Sequence, residues 1–465
     1  MKYLIALFIL FAQSSFADIT LPAIISDNMV LQQNTKVRLW GWGIPGEKVY
    51  IRPSWTATID STVVTAEAKW SCLVQTPAAG GPYSIQLKGY NQIQLSNILI
   101  GEVWLCSGQS NMEMSLNWGM NYKEEEMGAG NRNIRFFQVM KATSPHPQED
   151  LKASWQNSSP GVVRHFSAVA CFFAKKLEEA LKVPVGLINA SWGGSAAEAW
   201  TPANVISSDS LLLSAAKKLS PNHYSSIRPG GHYNAMIAPF TNYNIAGVLW
   251  YQGETNVGQT SYAHLMKQLI SAWRKEWNRD FPFYFAQIAP WAGYGNSISA
   301  PLLRESQGRI QELSGTGMVL TSDLVDDIKD IHPKMKKEVG ERFANYALAE
   351  TYGVKNIVYK FPEFKGMSIR KGRAVVFFAN LRSGLVSKSG QVKEFYIAAA
   401  DRVFQPAKAK IKGQMVEVWS DAVPQPVAVR YGFTSEAQAD LFSKEGLPVN
   451  LFRTDNWDVP TLKGN

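Results

Sequence analysis

The chain predicts an α/β fold built on a parallel sheet, with a β-rich region on either side of it in sequence. Three observations carry this expectation. Between Gly101 and about Tyr352, short apolar runs alternate with amphipathic stretches. Before and after that span the runs are β-like and punctuated by Gly and Pro. The length, 465 residues, exceeds what one hydrophobic core usually supports, which favours two or three domains.

The elements follow in order. Residues 1–17 carry Lys2, an apolar run from Tyr3 to Ala12 and small residues at Ser15 and Ala17, the pattern of a signal peptide. An exported protein, periplasmic or secreted, is therefore expected, starting near Asp18 and with no membrane span once the signal is removed. Residues 18–100 read as a small β-sandwich: runs at Lys36–Trp40 and Lys48–Arg52 are separated by Gly41-Trp-Gly-Ile-Pro-Gly46, and Gly80-Gly81-Pro82 reads as a later turn. Over 101–354 the candidate strands are Glu102–Cys106, Val185–Asn189, Ala246–Tyr251, Phe283–Ile288 and Met318–Thr321. Between them Val169, Phe172, Phe173, Leu177 and Leu181 recur at helical spacing, as do Leu265, Leu269, Ile270, Trp273 and Trp277. Near-continuous apolar strands separated by helices imply a parallel sheet covered on both faces, a three-layer α/β/α arrangement. Ligands then collect beyond the carboxyl ends of the strands. Residues 355–465 return to β character at Ala374–Phe378, Val416–Trp419 and Val427–Tyr431, a second β-rich domain.

Composition excludes several function classes. Three cysteines, Cys72, Cys106 and Cys171, cannot all pair within one chain, and Cys106 and Cys171 lie in apolar runs that read as buried thiols. Neither they nor the six histidines show metal-ligand spacing, so no metal and no cofactor is expected. The net charge of +9 comes without a basic cluster, which argues against a nucleic-acid partner and favours encounter with anionic glycans.

The chemistry is expected at the strand ends. The run Gly101-Glu-Val-Trp-Leu-Cys-Ser-Gly-Gln-Ser-Asn-Met112 takes an apolar strand into a small-residue turn that leaves Ser110 at its carboxyl end, where the following N–H groups could face an oxyanion. A serine hydroxyl needs a base. His332, in Lys329-Asp-Ile-His-Pro333, follows the last strand of the region and precedes a helical run, which puts it at the same edge; His146, His165, His223, His232 and His264 lack that setting. Two further polar loops end strands: Asn189-Ala-Ser-Trp-Gly-Gly-Ser195, and Trp250-Tyr-Gln-Gly-Glu-Thr-Asn256 with Gln252 and Asn256 as donors and Glu254 as an ordering carboxylate.

Taken together, Gly108-Gln-Ser-Asn-Met112, Ser191-Trp-Gly-Gly-Ser195, Trp250-Tyr-Gln-Gly-Glu254 and Asp330-Ile-His-Pro333 resemble the ordered blocks of the SGNH hydrolases, and more narrowly those of the sialate O-acetylesterase family, whose relatives include acetylesterases acting on xylan. The resemblance extends to Asp27-Asn-Met-Val-Leu-Gln32, Gly41-Trp-Gly43, Leu303-Arg-Glu-Ser-Gln307 and Pro448-Val-Asn-Leu-Phe-Arg-Thr454. It implies Ser110 as nucleophile, His332 as general base, and an oxyanion hole from the Ser110 N–H, Gly193 or Gly194, and Gln252. Asp330 is the natural partner of His332, yet one residue separates them where many SGNH enzymes have two. Either Asp330 orients the imidazole, or a backbone carbonyl does so and leaves a dyad. Asn111, Glu254, Asn256 and Arg304 are candidate substrate contacts, Arg304 as a clamp for a sialate carboxylate or as a loop anchor. Trp118, Trp192 and Tyr251 are candidate sugar platforms. The implied activity is removal of O-acetyl groups from a carbohydrate partner, O-acetylated sialic acid or another acetylated glycan such as xylan. A non-catalytic glycan-binding protein is the reading from a different class.

Overall fold

The computed structural model describes residues 18–295 and 298–457; the expected signal segment, 1–17, lies outside them. Six parallel strands form the centre: β1 (Gln92–Gly108), β2 (Ile134–Gln138), β3 (Val185–Ser191), β4 (Gly247–Tyr251), β5 (Phe283–Ala286) and β6 (Thr316–Val319). Their order is β6-β5-β4-β1-β3-β2, with a short antiparallel strand, Trp155–Asn157, beside β2. The five expected strands are all present, four of them within two residues of their expected bounds and the first reaching back from Glu102 to Gln92. β2 was not expected, because Arg135 interrupts its apolar run; Nη1 of the buried guanidinium donates to the carbonyls of Arg132 and Ile134.

Helices cover both faces. Those that bear on the sheet and the site are α1 (Ser110–Glu113), α2 (Ala168–Leu181), α3 (Ala197–Trp200), α4 (Tyr262–Trp277), α5 (Ser299–Arg309) and α6 (Lys336–Tyr346). Trp104 of β1 packs edge-on against Phe173 of α2, with ring centroids 5.0 Å apart. Its register partner in β4 is Gly247, where an added Cβ would sit 2.5 Å from the Trp104 ring. Three residues further along β4, side-chain alternation turns Trp250 to the opposite face, where it meets Trp200 of α3 and Trp273 of α4. Residues that follow β1 in sequence build strands on one side of it first and on the other side later. The winding therefore reverses at β1, and a crevice opens at its carboxyl end.

The amino-terminal strands share β1 with the central sheet. Val30–Gln32 pairs parallel with Leu99–Gly101, and Gly80–Lys88 pairs antiparallel with the first half of β1. The expected boundary between residues 100 and 101 thus falls inside one strand, and a single buried core runs from Ile19 through the central sheet. Gly80-Gly81-Pro82, expected as a turn, instead opens the strand Gly80–Lys88, with a register irregularity between Gly80 and Tyr83. The three cysteines are free, Cys106 and Cys171 being buried as expected. The carboxyl-terminal strands, including Arg373–Ala379, Met415–Trp419 and Ala428–Tyr431, enclose a core of their own.

The turn after β1 requires a glycine. Gly108 has φ 131° and an added Cβ there would lie 2.2 Å from the Tyr251 carbonyl oxygen. Gly108→Ala should therefore cost at least about 2 kcal/mol, combining left-handed strain with a backbone clash. Urea unfolding would read this as a lowered midpoint; an unchanged midpoint would contradict the clash.

Candidate active site

Backbone hydrogen bonds fix the end of β1 between its neighbours. The Gln109 N–H donates to the Tyr251 carbonyl at 2.9 Å, and the Trp192 N–H donates to the Gly108 carbonyl at 3.0 Å. The chain then enters the single turn α1, closed by the Met112 and Glu113 N–H groups on the Gln109 carbonyl. Ser110, the first residue of that turn and 8% exposed, forms part of the wall of a cavity of about 780 Å³. The early N–H groups of such a turn have no acceptor within it. Gly193, Gly194 and His332 line the same cavity, as do the rings of Trp118, Trp192, Tyr224, Trp291 and Tyr294.

His332 lies between β6 and α6. Its backbone N–H donates to Asp330 Oδ1 at 2.9 Å, whereas its ring Nδ1 is 3.6 Å from the same oxygen, beyond hydrogen-bond length. Asp330 thus shapes the loop through the backbone and reaches the imidazole only as a nearby charge. Trp118 meets the imidazole edge-on at 5.3 Å. Burial holds the His332 pKa below the ordinary value, the Lys336 charge lowers it further, and Asp330 and Glu113 act in the opposite direction.

Asn111, expected to touch substrate, points behind the turn instead. Its Nδ2 donates to Glu254 Oε1 at 2.6 Å and to the Ile331 carbonyl at 3.2 Å, and its Oδ1 accepts from Lys336 Nζ at 2.6 Å. Glu254 does line the cavity, with one oxygen committed to Asn111; burial raises its pKa. Lys336 was not anticipated. It sits in the run Lys334-Met-Lys-Lys337, which reads as solvated surface, yet it is buried and its Nζ lies 5.2 Å from the centroid of the Tyr251 ring.

The expected side-chain oxyanion donor is displaced. Gln252 is fully buried and does not line the cavity: its Nε2 donates to the Ser195 carbonyl at 3.1 Å and to Asn256 Oδ1 at 2.6 Å, while its Oε1 accepts from the Tyr262 hydroxyl. Asn256 in turn accepts from the Ala197 N–H and donates to Glu198 and Gln259. A buried amide must pair its groups, and both find partners within the strand-end loops. Of the two glycines, Gly193 donates its N–H to Glu113 Oε2 at 2.7 Å, and the other oxygen of Glu113 is held by Lys141 Nζ at 2.6 Å. Glu113 and Lys141 both line the cavity and were both missed. Glu113 lies one residue past the block read as a motif, and Lys141 follows β2, the strand that was not expected.

Comparison with known proteins gives the family. The family model of the carbohydrate esterases described as sialic acid-specific acetylesterases matches residues 100–349. The chain belongs to that family. The sialate O-acetylesterase of Homo sapiens is 31% identical over 381 residues, covering 73% of this chain and 72% of its own length, and that of Mus musculus is 28% identical over 402 residues, covering 73% and 74%. A carbohydrate acetylesterase from Xanthomonas citri superposes with a TM-score of 0.86 at 36% identity, covering 95% of this chain and 100% of that one. Membership in this sialic acid-specific acetylesterase family makes the chain a carboxylic-ester hydrolase.

The family-like blocks outside the cavity hold the acetylesterase together. Gln32 donates to Glu102 at 2.9 Å and accepts from the Val103 N–H, which anchors the middle of β1. In α5, Glu305 takes a two-pronged hydrogen bond from Arg453 at 2.8 and 3.0 Å, and Gln287 donates to Asn450 at 3.1 Å. Arg304, expected as a substrate clamp or a loop anchor, is fully buried off the cavity wall and donates to the Thr434 carbonyl; burial lowers its pKa to about 10. It cannot meet a sugar carboxylate, and it anchors the loop around Thr434. Tyr251 is likewise buried, beneath Lys336, while Trp118 and Trp192 do reach the cavity. The cavity wall at Trp291 is held by its N–H on the Ser435 carbonyl at 3.1 Å and its indole N–H on the Lys329 carbonyl at 3.0 Å.

The lowered His332 pKa sets a pH test for this imidazole as the base. A base works when neutral, so kcat/KM should fall on acidification with a midpoint below the ordinary histidine value of about 6.5. A pH–rate profile on a simple acetyl ester checks this. A midpoint above that value, or no acid limb, would contradict it.

Proposed function

We propose that this chain is a serine carbohydrate O-acetylesterase that removes O-acetyl groups from sialic acids. The observation that carries the reading is that Ser110 and His332 both line one cavity at the carboxyl edge of the sheet. In this mechanism His332 takes the proton as Ser110 attacks the acetyl carbonyl, and the oxyanion is met by the N–H groups of Ser110 and Gly194. The sugar hydroxyl leaves with the proton returned by His332, and water then hydrolyses the acetyl-enzyme with the same base. Asp330 acts as a nearby charge on the imidazole, so the working unit is a Ser-His dyad with an auxiliary carboxylate. Among the described residues lining the cavity, Lys141 is the one lysine or arginine. The likeness to sialate O-acetylesterases favours an anionic sugar, whose carboxylate would share Lys141 with Glu113, while Trp118, Trp192 and Trp291 offer faces for the ring.

A second reading, deacetylation of xylan or another polysaccharide, is favoured by one feature. Tyr224, 76% exposed, stands with Gly194 and Thr255 between this cavity and a neighbouring groove of about 610 Å³ that includes Ser214, Lys218 and Gln259. A longer glycan could continue there. The regions 18–100 and 355–465 are read as sandwich-like frames for the cleft, and the amino-terminal pattern around Lys2 supports export to the periplasm or the medium.

Acetate release from 9-O-acetylated sialic acid, compared with acetylated xylan, separates the two readings. The wild type should favour the sialate, and Lys141→Met should lower the sialate-to-xylan ratio of kcat/KM by roughly tenfold, about 1.4 kcal/mol. A wild-type preference for xylan, or a ratio unaffected by Lys141→Met, would overturn the sialate assignment.

A further inference from the structure

We propose that Lys336, which does not line the cavity, is the positioning residue that couples the Ser110 turn to the His332 loop. The inference rests on the Ser-His reading above. Its basis is the single side chain of Asn111, which touches three elements at once: the Glu254 carboxylate after β4, the Ile331 carbonyl just before His332, and the Lys336 ammonium at the start of α6.

The donor inventory explains why an ammonium is needed. A lysine can only donate, and a carboxylate and a carbonyl can only accept. With Lys336 on one side, the Asn111 oxygen must face it and the amide nitrogen must face Glu254 and Ile331. The amide therefore has one orientation, and it is the one that ties the residue after Ser110 to the residue before His332. A neutral apolar residue at 336 would leave the Asn111 oxygen buried and unpaired, at a cost comparable to a lost hydrogen bond.

The charge has a second consequence. The groups that act on Lys336 are Glu254, Asp326 and Asp330, with the Tyr251 ring against its Nζ. Those that act on His332 are Lys336, Asp330 and Glu113, the last of them paired with Lys141. Burial brings the Lys336 pKa down to about 7 against the pull of the three carboxylates, so the ammonium is charged across the acid range in which His332 titrates. A positive charge there opposes protonation of the imidazole. Removing it should let His332 take up a proton at higher pH.

The test is kcat/KM against pH on 4-nitrophenyl acetate for wild type, Lys336→Met and Lys336→Gln, with thermal unfolding to confirm the folded fraction. Lys336→Met should lose at least about 10-fold in kcat with little change in KM. Its acid limb should move up by about half a pH unit or more. Lys336→Gln can still donate to Asn111, so it should keep more of kcat than Lys336→Met while showing the same shift of the limb. If neither neutral variant folds, Lys336→Arg serves instead: its limb should stay at the wild-type position with kcat reduced. An unmoved limb in a folded neutral variant, a kcat loss that only tracks the unfolded fraction, or a shifted limb in Lys336→Arg would each overturn the proposal. A wild type with no acid limb would instead sink the Ser-His reading itself.

Discussion

The site depends on the backbone clasp at the end of β1. The Gly108 carbonyl accepts from the Trp192 amide and the Gln109 amide donates to the Tyr251 carbonyl, so the turn carrying Ser110 cannot shift without breaking hydrogen bonds on both sides of β1. Several other residues of the site lie on the loops beside that point. Trp192 and Gly193 follow from β3, Glu254 follows from β4, and Asn111 reaches across from the clasped turn to the loop of His332. A nucleophile turn on a rigid parallel sheet is held far more closely than one on a free loop, and acyl transfer is sensitive to displacements of an ångström.

The outlying β regions contribute to the same geometry. At the amino-terminal end Gln32 satisfies Glu102 and the Val103 amide, which steadies β1 before it enters the central sheet. At the carboxyl-terminal end Arg453 grips Glu305 of α5, and the Ser435 carbonyl holds Trp291 at the cavity wall. The chain thus ties its catalytic edge from both ends, which gives a physical reason for family-like blocks that lie far from Ser110 in sequence.

Much of this was legible in the sequence. Apolar runs marked five of the six central strands, and Ser110 after one strand and His332 in the loop beyond the last could be placed at one edge of the sheet, where both line one cavity. The failures share a cause: side-chain direction. Gln252 and Asn256 looked like donors because polar residues at a strand end usually face the crevice, yet both turn inward and satisfy one another. Of the two readings of Arg304, the clamp fails and the loop anchor fits, since its guanidinium donates to the Thr434 carbonyl. Lys336 gave the reverse error, a lysine among lysines that is buried with its ammonium on Asn111 behind the turn. Lys141 was hidden behind a strand whose period was broken by Arg135.

The central claim is that Ser110 is the atom source of the new ester bond. Exposure to a fluorophosphonate probe, followed by digestion and mass spectrometry, tests it most directly. The account predicts one phosphonyl adduct, on the peptide containing Ser110, formed more slowly when His332 is replaced by alanine. An adduct on a different serine, or an active enzyme that takes up no probe, would contradict it.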